Sequence, residues 1–280
     1  KAVRDEKVAV VGGGPAGLSC AFYLARAGYP VTLFEADSEL GGVLRWGIPE
    51  YRLPNDILDK VINIIVESGP IEVMTGVQVG ADKALEELED EFDAVFLGIG
   101  WSSSGELGRY NEDFEGVGKG LDFLREVNSG GNPEVGEKVA VIGGGNTAMD
   151  VARCALRLGG EVTVVYRRTL AEMPAITDEI EEAREEGVKF EYLASPKEII
   201  EKNGKLSKVV FQKMELGEPD ESGRRRPVPV EGEEFTMEVD HLFTAIGEVS
   251  DLEGFEEDLD NRWNLLEVSD EYGRTSKEGF

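Results

Sequence analysis

Residues 7–17 read KVAVVGGGPAG, and residues 138–148 read KVAVIGGGNTA. In each, a short β-branched apolar run enters three consecutive glycines and leaves as an apolar helical stretch, 18–27 in the first copy and through Leu158 in the second. A further apolar run follows each helix, at 31–34 and 162–165. Gly12 and Gly143, Gly14 and Gly145, and Val31 and Val162 each stand 131 residues apart. The chain therefore carries two copies of one strand–glycine turn–helix–strand unit.

That order of elements turns a glycine pattern into a nucleotide signature. A dinucleotide pyrophosphate needs close backbone approach and the positive end of a helix. In the stretch Gly12, Gly14, Pro15, Ala16, Gly17, the first glycine makes the tight turn. Gly14 removes a side chain that would block the phosphates, and Gly17 lets helix and strand pack. Glu35 ends the following strand, 23 residues after Gly12, where a carboxylate can accept hydrogen bonds from a ribose diol. The second copy repeats the turn with Gly143, Gly145, Asn146, Thr147 and Ala148, but Tyr166 stands where Glu35 did and is followed by Arg167 and Arg168. A carboxylate there would repel a 2′-phosphate and two guanidinium groups would bind it, so NADPH is expected at the second copy rather than NADH. Two nucleotide sites of different preference suggest hydride transfer between a nicotinamide and a flavin, chemistry that needs little acid–base help from side chains.

The rest of the chain narrows the class. Its 280 residues, 41% hydrophobic, suffice for two medium cores. The 57 acidic against 29 basic residues leave a net charge of −28, which repels nucleic acid and anionic membranes and argues against both as partners. The acids are spread along the chain, which suits a saline cytoplasm or a basic partner subunit. No apolar run approaches the ~18 residues of a membrane helix, and residues 1–7 read as neither signal nor transit peptide, so a cytoplasmic location is expected. Cys20 and Cys154 belong to no CxxC pair and read as buried packing residues; His241, the one histidine, lies beside an expected strand and reads as structural. No Ser/His/Asp arrangement and no metal-ligand cluster occurs, so no catalytic side chain is named and no metal is expected.

Between and after the two copies the spacing predicts helices over 55–67, 81–91 and 177–186, strands over 94–99 and 239–246, and a hairpin turn at Asn203-Gly204. The turn-rich stretch 128–137 reads as an interdomain linker and 217–229 as a long loop. The expected fold is α/β, two Rossmann-like dinucleotide-binding domains with an added antiparallel β segment.

The series GGGPAG (12–17), FEADSELGGVLRWGIPEYRLP (34–54), GGGNTAMD (143–150) and VVYRRTLAEMPA (164–175) resembles the small (β) subunit of glutamate synthase. It is similar also to the flavin and NADPH domains of dihydropyrimidine dehydrogenase and of NADH-dependent ferredoxin:NADP oxidoreductases. The resemblance implies FAD in the first copy and NADPH in the second, which is inserted into the first. That gives 1–128 as the first part of the FAD domain, 129–248 as the NADPH domain, and 249–280 as a truncated return to the FAD domain. It places Gly41, Gly42, Val43 and Arg52 near the flavin, and Asn146, Thr147, Arg167 and Arg168 on NADPH with Ala245 and Gly247 close by. It implies electron delivery to an iron–sulfur domain or subunit, the glutamate synthase large subunit being one such partner. Family members usually carry cluster-binding cysteines ahead of the first strand, and the segment returning to the FAD domain begins where this chain ends, at 275–280. Two readings of the chain alone stay open: an NADPH-dependent FAD oxidoreductase, or a nucleotide-binding and assembly fragment without independent activity.

Overall fold

Strand β1 (Val8–Val11) is buried on both faces, and its four residues pair in parallel with β2 (Val31–Glu35) on one side and β4 (Ala94–Leu97) on the other. In a computed structural model of the chain, which describes residues 4–105, 107–108, 114–219, 223–263 and 265–280, these strands begin the first of two compact units. That unit holds the residues up to Ser102 together with Val249–Phe280; the second holds Ser103–Glu248.

The first unit is built on a parallel sheet of order β3-β2-β1-β4, with β3 at Ile71–Thr75. Helices α1 (Pro15–Ala27) and α3 (Asn55–Val66) bury Leu18, Ala21, Leu58 and Ile62 against Val10 and Leu33. The opposite face, carrying Ala9, Val11 and Phe34, packs on Leu85 and Leu88 of α4 (Leu85–Glu91) and on Phe255 and Leu259. Strands buried on both faces read as continuous apolar runs rather than alternating ones, hence VAVV. A short helix, α2 (Val43–Trp46), follows the second strand. The 249–280 segment is stitched into this unit, with Val95 N–H donating to Gly279 O at 2.8 Å and Lys277 Nζ lying 3.2 Å from Glu89.

In the second unit, β5 (Ser103–Ser104), β6 (Val117–Lys119) and α5 (Gly120–Asn128) precede β7 (Lys138–Gly143), α6 (Asn146–Arg157) and β8 (Glu161–Tyr166). Next come α7 (Thr177–Glu186), β9 (Lys189–Tyr192), the antiparallel strands β10 (Ala194–Lys202), β11 (Lys205–Pro219) and β12 (Arg225–Glu238), and β13 (His241–Ala245). The parallel sheet has order β6-β13-β7-β8-β9, and β10-β11-β12 packs on one of its faces through Leu206, Val209, Phe211 and Val239. Asn203 and Gly204 form the β10–β11 turn with φ of 58° and 80°, the left-handed pair that a two-residue hairpin loop demands.

Two expectations are corrected. The first boundary lies at Ser102/Ser103 and not at 128/129. Strand β6 pairs with β13, and α5 brings Phe123 into the second core, its ring 4.4 Å from that of Phe243. The turn-rich stretch after residue 128 is thus a connection inside the second unit. The expected loop over 217–229 is mostly strand, with Leu216 opposite Pro227 and Met214 opposite Pro229. Prolines are admitted there because β12 is the edge strand of its sheet. Among the described residues, no helix is long and apolar enough to cross a membrane.

Candidate functional site

In the first unit, the carboxyl ends of β1 and β2 meet the amino end of α1, the place where open parallel sheets bind ligands. Packing dictates three of the four glycines in the turn. A Cβ on Gly12 would lie 2.3 Å from Gly98 O, one on Gly17 would lie 1.8 Å from Gly12 O, and one on Gly13 would lie 2.4 Å from Leu40 Cδ2. Gly14 differs, for its Cβ would meet nothing nearer than Gly42 Cα at 4.0 Å. Open space at Gly14, beside an α1 amino terminus with no side-chain cap, fits a pyrophosphate.

Glu35 is buried, with Oε2 accepting from Gly13 N–H at 2.7 Å and Oε1 from Asp37 N–H at 2.8 Å. Burial pushes its pKa up, opposed by those two backbone bonds. Its position at the turn is therefore set by the backbone, leaving its other lone pairs for a ligand. Gly41 N–H donates to Gly13 O at 2.9 Å, which brings Gly41 and Gly42 onto the glycine turn. The buried Arg45 holds that loop, donating from Nε to Leu40 O at 2.6 Å and pairing with Glu39 at 2.9 Å and with Asp59. Val43, at the start of α2, is exposed, and Arg52 lies half-buried in the turn before α3, its N–H bonded to Pro49 O at 2.9 Å. Pro15 and Ala16 open α1 itself. Gly13 and Arg45 were not singled out from sequence; the run of three glycines hinted at the first, and nothing local hinted at the second.

The second unit repeats this arrangement with different chemistry. A Cβ on Gly143 would lie 2.1 Å from Ala245 O, whereas one on Gly145 would meet only Pro174 at 4.0 Å. Tyr166 takes the place of Glu35: its ring would be 2.6 Å from a Cβ on Gly144, and its hydroxyl donates to Glu172 O at 2.8 Å. The 169–176 segment folds back on the turn through Ala175 N–H to Gly144 O at 3.1 Å and Ile176 N–H to Asn146 Oδ1 at 2.9 Å. Gly144→Ala is expected to destabilise the unliganded chain by about 1–3 kcal/mol, the usual cost of overpacking, because the Tyr166 ring, tied through its hydroxyl to Glu172 O, cannot shift without breaking that bond. Thermal unfolding reads this, and an unchanged midpoint would show that the ring moves freely.

Around this turn lies a cavity of about 1050 Å³, lined by Gly143, Gly144, Gly145, Asn146, Thr147, Arg167, Arg168, Ala245 and Gly247 from the sheet side and by Lys197, Arg224, Pro227 and Pro229 from the β10–β12 side. Ala148 lies behind the turn, in the core. Thr147 Oγ1 donates to Glu248 Oε1 at 2.5 Å. The two arginines are not equivalent. Arg167 is exposed, while Arg168 is 4% exposed, donates from Nε to Arg225 O at 2.7 Å and accepts Leu193 N–H at 3.1 Å on its own carbonyl. Among the described residues, the lining offers Arg167, Arg168, Lys197 and Arg224 against the single acid Glu248, in a chain where acids outnumber bases 57 to 29. Such a reversal of charge marks a polyanion site.

Elsewhere, His241 is half-buried at the start of β13, its ring 5.8 Å from that of Phe243. Cys154 lies in the core of the second unit and Cys20 is half-buried on α1, where burial raises its thiol pKa. Among the described residues, no three His, Cys, Asp or Glu side chains gather as a metal site.

A family model described as pyridine nucleotide-disulphide oxidoreductase matches residues 6–280. The chain is 44% identical over 295 residues to the NADPH-Fe(3+) oxidoreductase subunit beta of Geobacter sulfurreducens, covering 100% of this chain and 44% of that protein. It is 40% identical over 254 residues to the glutamate synthase [NADPH] small chain of Halomonas elongata, covering 87% of this chain and 53% of that one. Among solved structures, Mycobacterium tuberculosis FprA in complex with NADPH superposes with a TM-score of 0.84 at 20% identity, over 98% of this chain and 77% of that one, a likeness of fold. The chain thus spans about half, or less, of the length of these curated relatives. With the resemblance to the glutamate synthase small subunit met by a relative of that name, and with two glycine-turn units of the expected build, the chain belongs to the pyridine nucleotide-disulphide oxidoreductase family.

Proposed function

We propose that this chain is the NADPH-oxidising, FAD-binding part of an oxidoreductase, with NADPH in the second unit and FAD in the first. The observation that carries this reading is the reversal of charge in the second unit's cavity, four cations to one acid among the described residues, at an uncapped helix terminus. FAD, when bound, supplies a two-electron acceptor for the nicotinamide hydride and can return electrons one at a time. The chain's own residues bind and orient. Gly12, Gly14, Pro15, Ala16 and Gly17 offer α1's amino end to the FAD pyrophosphate, Glu35 the adenosine ribose, and Gly41, Gly42, Val43 and Arg52 the flavin side. Gly143, Gly145, Asn146 and Thr147 hold the NADPH pyrophosphate end, backed by Ala148 in the core, and Arg167 and Arg168 its 2′-phosphate, with Ala245 and Gly247 flanking the site. The relatives named as subunits support a partner, and an iron–sulfur domain or subunit in the cytoplasm is the acceptor this reading assigns.

The test is anaerobic mixing of flavin-loaded protein with NADPH. The flavin absorbance bleaches with NADPH and much less with equal NADH; reduction by neither, or equally by both, overturns the reading. Arg167→Ala is expected to weaken NADPH binding by about 1.5–3 kcal/mol, the worth of one charge-assisted bond, while leaving NADH unchanged in the same titration.

A further inference from the structure

The hairpin formed by β11 and β12 forms one wall of the second unit's cavity. It is built to be stiff. Phe211 and Phe235 stack across it with ring centroids 5.3 Å apart. Gln212 Nε2 donates to Val230 O at 2.6 Å and to Glu233 O at 2.8 Å, closing the irregularity where the β11–β12 register shifts. It is also tied to the nucleotide-binding strand, since Met214 N–H donates to Leu193 O at 2.7 Å and Leu193 N–H to Arg168 O at 3.1 Å.

At its far end stand Arg224, Arg225 and Arg226, whose surroundings differ. Arg225 turns its side chain into its own hairpin, donating to Gly217 O at 3.1 Å and to Leu216 O, while its carbonyl accepts Arg168 Nε at 2.7 Å. A carbonyl is a neutral acceptor, so that bond orients the Arg168 guanidinium and itself brings no opposing charge. Arg224, one residue earlier, lines the cavity; Arg226 does not.

We propose that the β11–β12 hairpin is part of the NADPH specificity site, with Arg224 binding the 2′-phosphate from the wall opposite Arg167 and the Arg225 carbonyl positioning Arg168 for the same group. The 2′-phosphate is then gripped from two sides, by the strand end and by the hairpin. This rests on the second unit being the NADPH site.

The experiment uses the full chain and two probes, adenosine 2′,5′-bisphosphate and 5′-AMP, titrated calorimetrically at fixed ionic strength. For Arg224→Ala, affinity for the bisphosphate falls at least tenfold and affinity for 5′-AMP stays within twofold; Arg224→Lys recovers part of the loss, and Arg226→Ala, which removes an equal charge outside the cavity, changes neither. If the unaltered chain shows no preference for the bisphosphate, the reading of the second unit fails. If it shows that preference and Arg224→Ala keeps it, or Arg226→Ala loses as much, the hairpin's role alone is overturned. Arg224 is exposed, so its variants are expected to unfold at the same temperature as the parent.

Discussion

Gly17→Ala is expected to cost the first unit more than about 3 kcal/mol, the upper range for overpacking, whereas Gly14→Ala leaves the fold intact and weakens flavin binding. Both replace a glycine of one turn by the smallest side chain, so only their surroundings separate them. The Gly17 methyl would sit 1.8 Å from Gly12 O, a backbone atom locked by the tight turn, and relief requires lifting α1 off β1. The Gly14 methyl would meet no protein atom nearer than 4.0 Å, and φ there is −77°, open to any L residue. It fills the slot assigned to the pyrophosphate. An overpacking cost of about 1–3 kcal/mol at that point is a loss of ~5- to 150-fold in affinity. Thermal unfolding without flavin and flavin retention on purification read the two effects separately. A Gly14→Ala protein that binds flavin as tightly as the parent would remove the pyrophosphate from this turn.

The second large effect lies away from the cavity. Arg153 on α6 has only 5% of its side chain exposed and bonds Glu179 at 2.8 Å, Glu182 at 2.7 Å and Glu186 at 2.7 Å, while Arg157 adds a contact to Glu186 at 2.6 Å. Arg153→Met fills similar space but leaves these carboxylates facing one another, two of them half-buried or deeper. Removing one partner of a buried ion pair costs about 3–5 kcal/mol. For a chain of this size that is a fall in midpoint of roughly 6–20 °C.

The pH dependence follows from Glu186. Burial alone would raise its pKa, but hydrogen bonds and charge from Arg153 and Arg157 outweigh that and hold it below the usual carboxylate value. The stability it confers is complete above the unfolded value of about 4.3 and is lost as pH falls through the lower folded value. The gap in midpoint between parent and variant should therefore be full near neutrality and close progressively below about pH 4.3. A gap of the same size at low pH would mean that the loss comes from packing rather than from charge.

What could be read directly from the residues were those features whose causes are local. The two glycine turns, the exchange of Glu35 for Tyr166-Arg167-Arg168 at the same place in the repeat, and the Asn203-Gly204 hairpin each depend on sterics or charge within a few residues. Even the helix α3 and the strand β4 follow from short-range periodicity. The separate reasons for Gly13 and Gly144 were not legible, because each is required by side chains more than 20 residues away, Leu40 and Glu35 in one case and Tyr166 in the other. Nor was the place of α5, whose turn-rich sequel looked like a linker until β6 paired with β13. The prolines of β12 argued for a loop and were overruled by an edge position that no local pattern records. Arg224 entered the cavity for the same reason: a hairpin's reach depends on strand pairing, register and the face on which it packs. These are long-range properties, set when apolar surfaces distant in the chain find each other, and only the tertiary structure decides them.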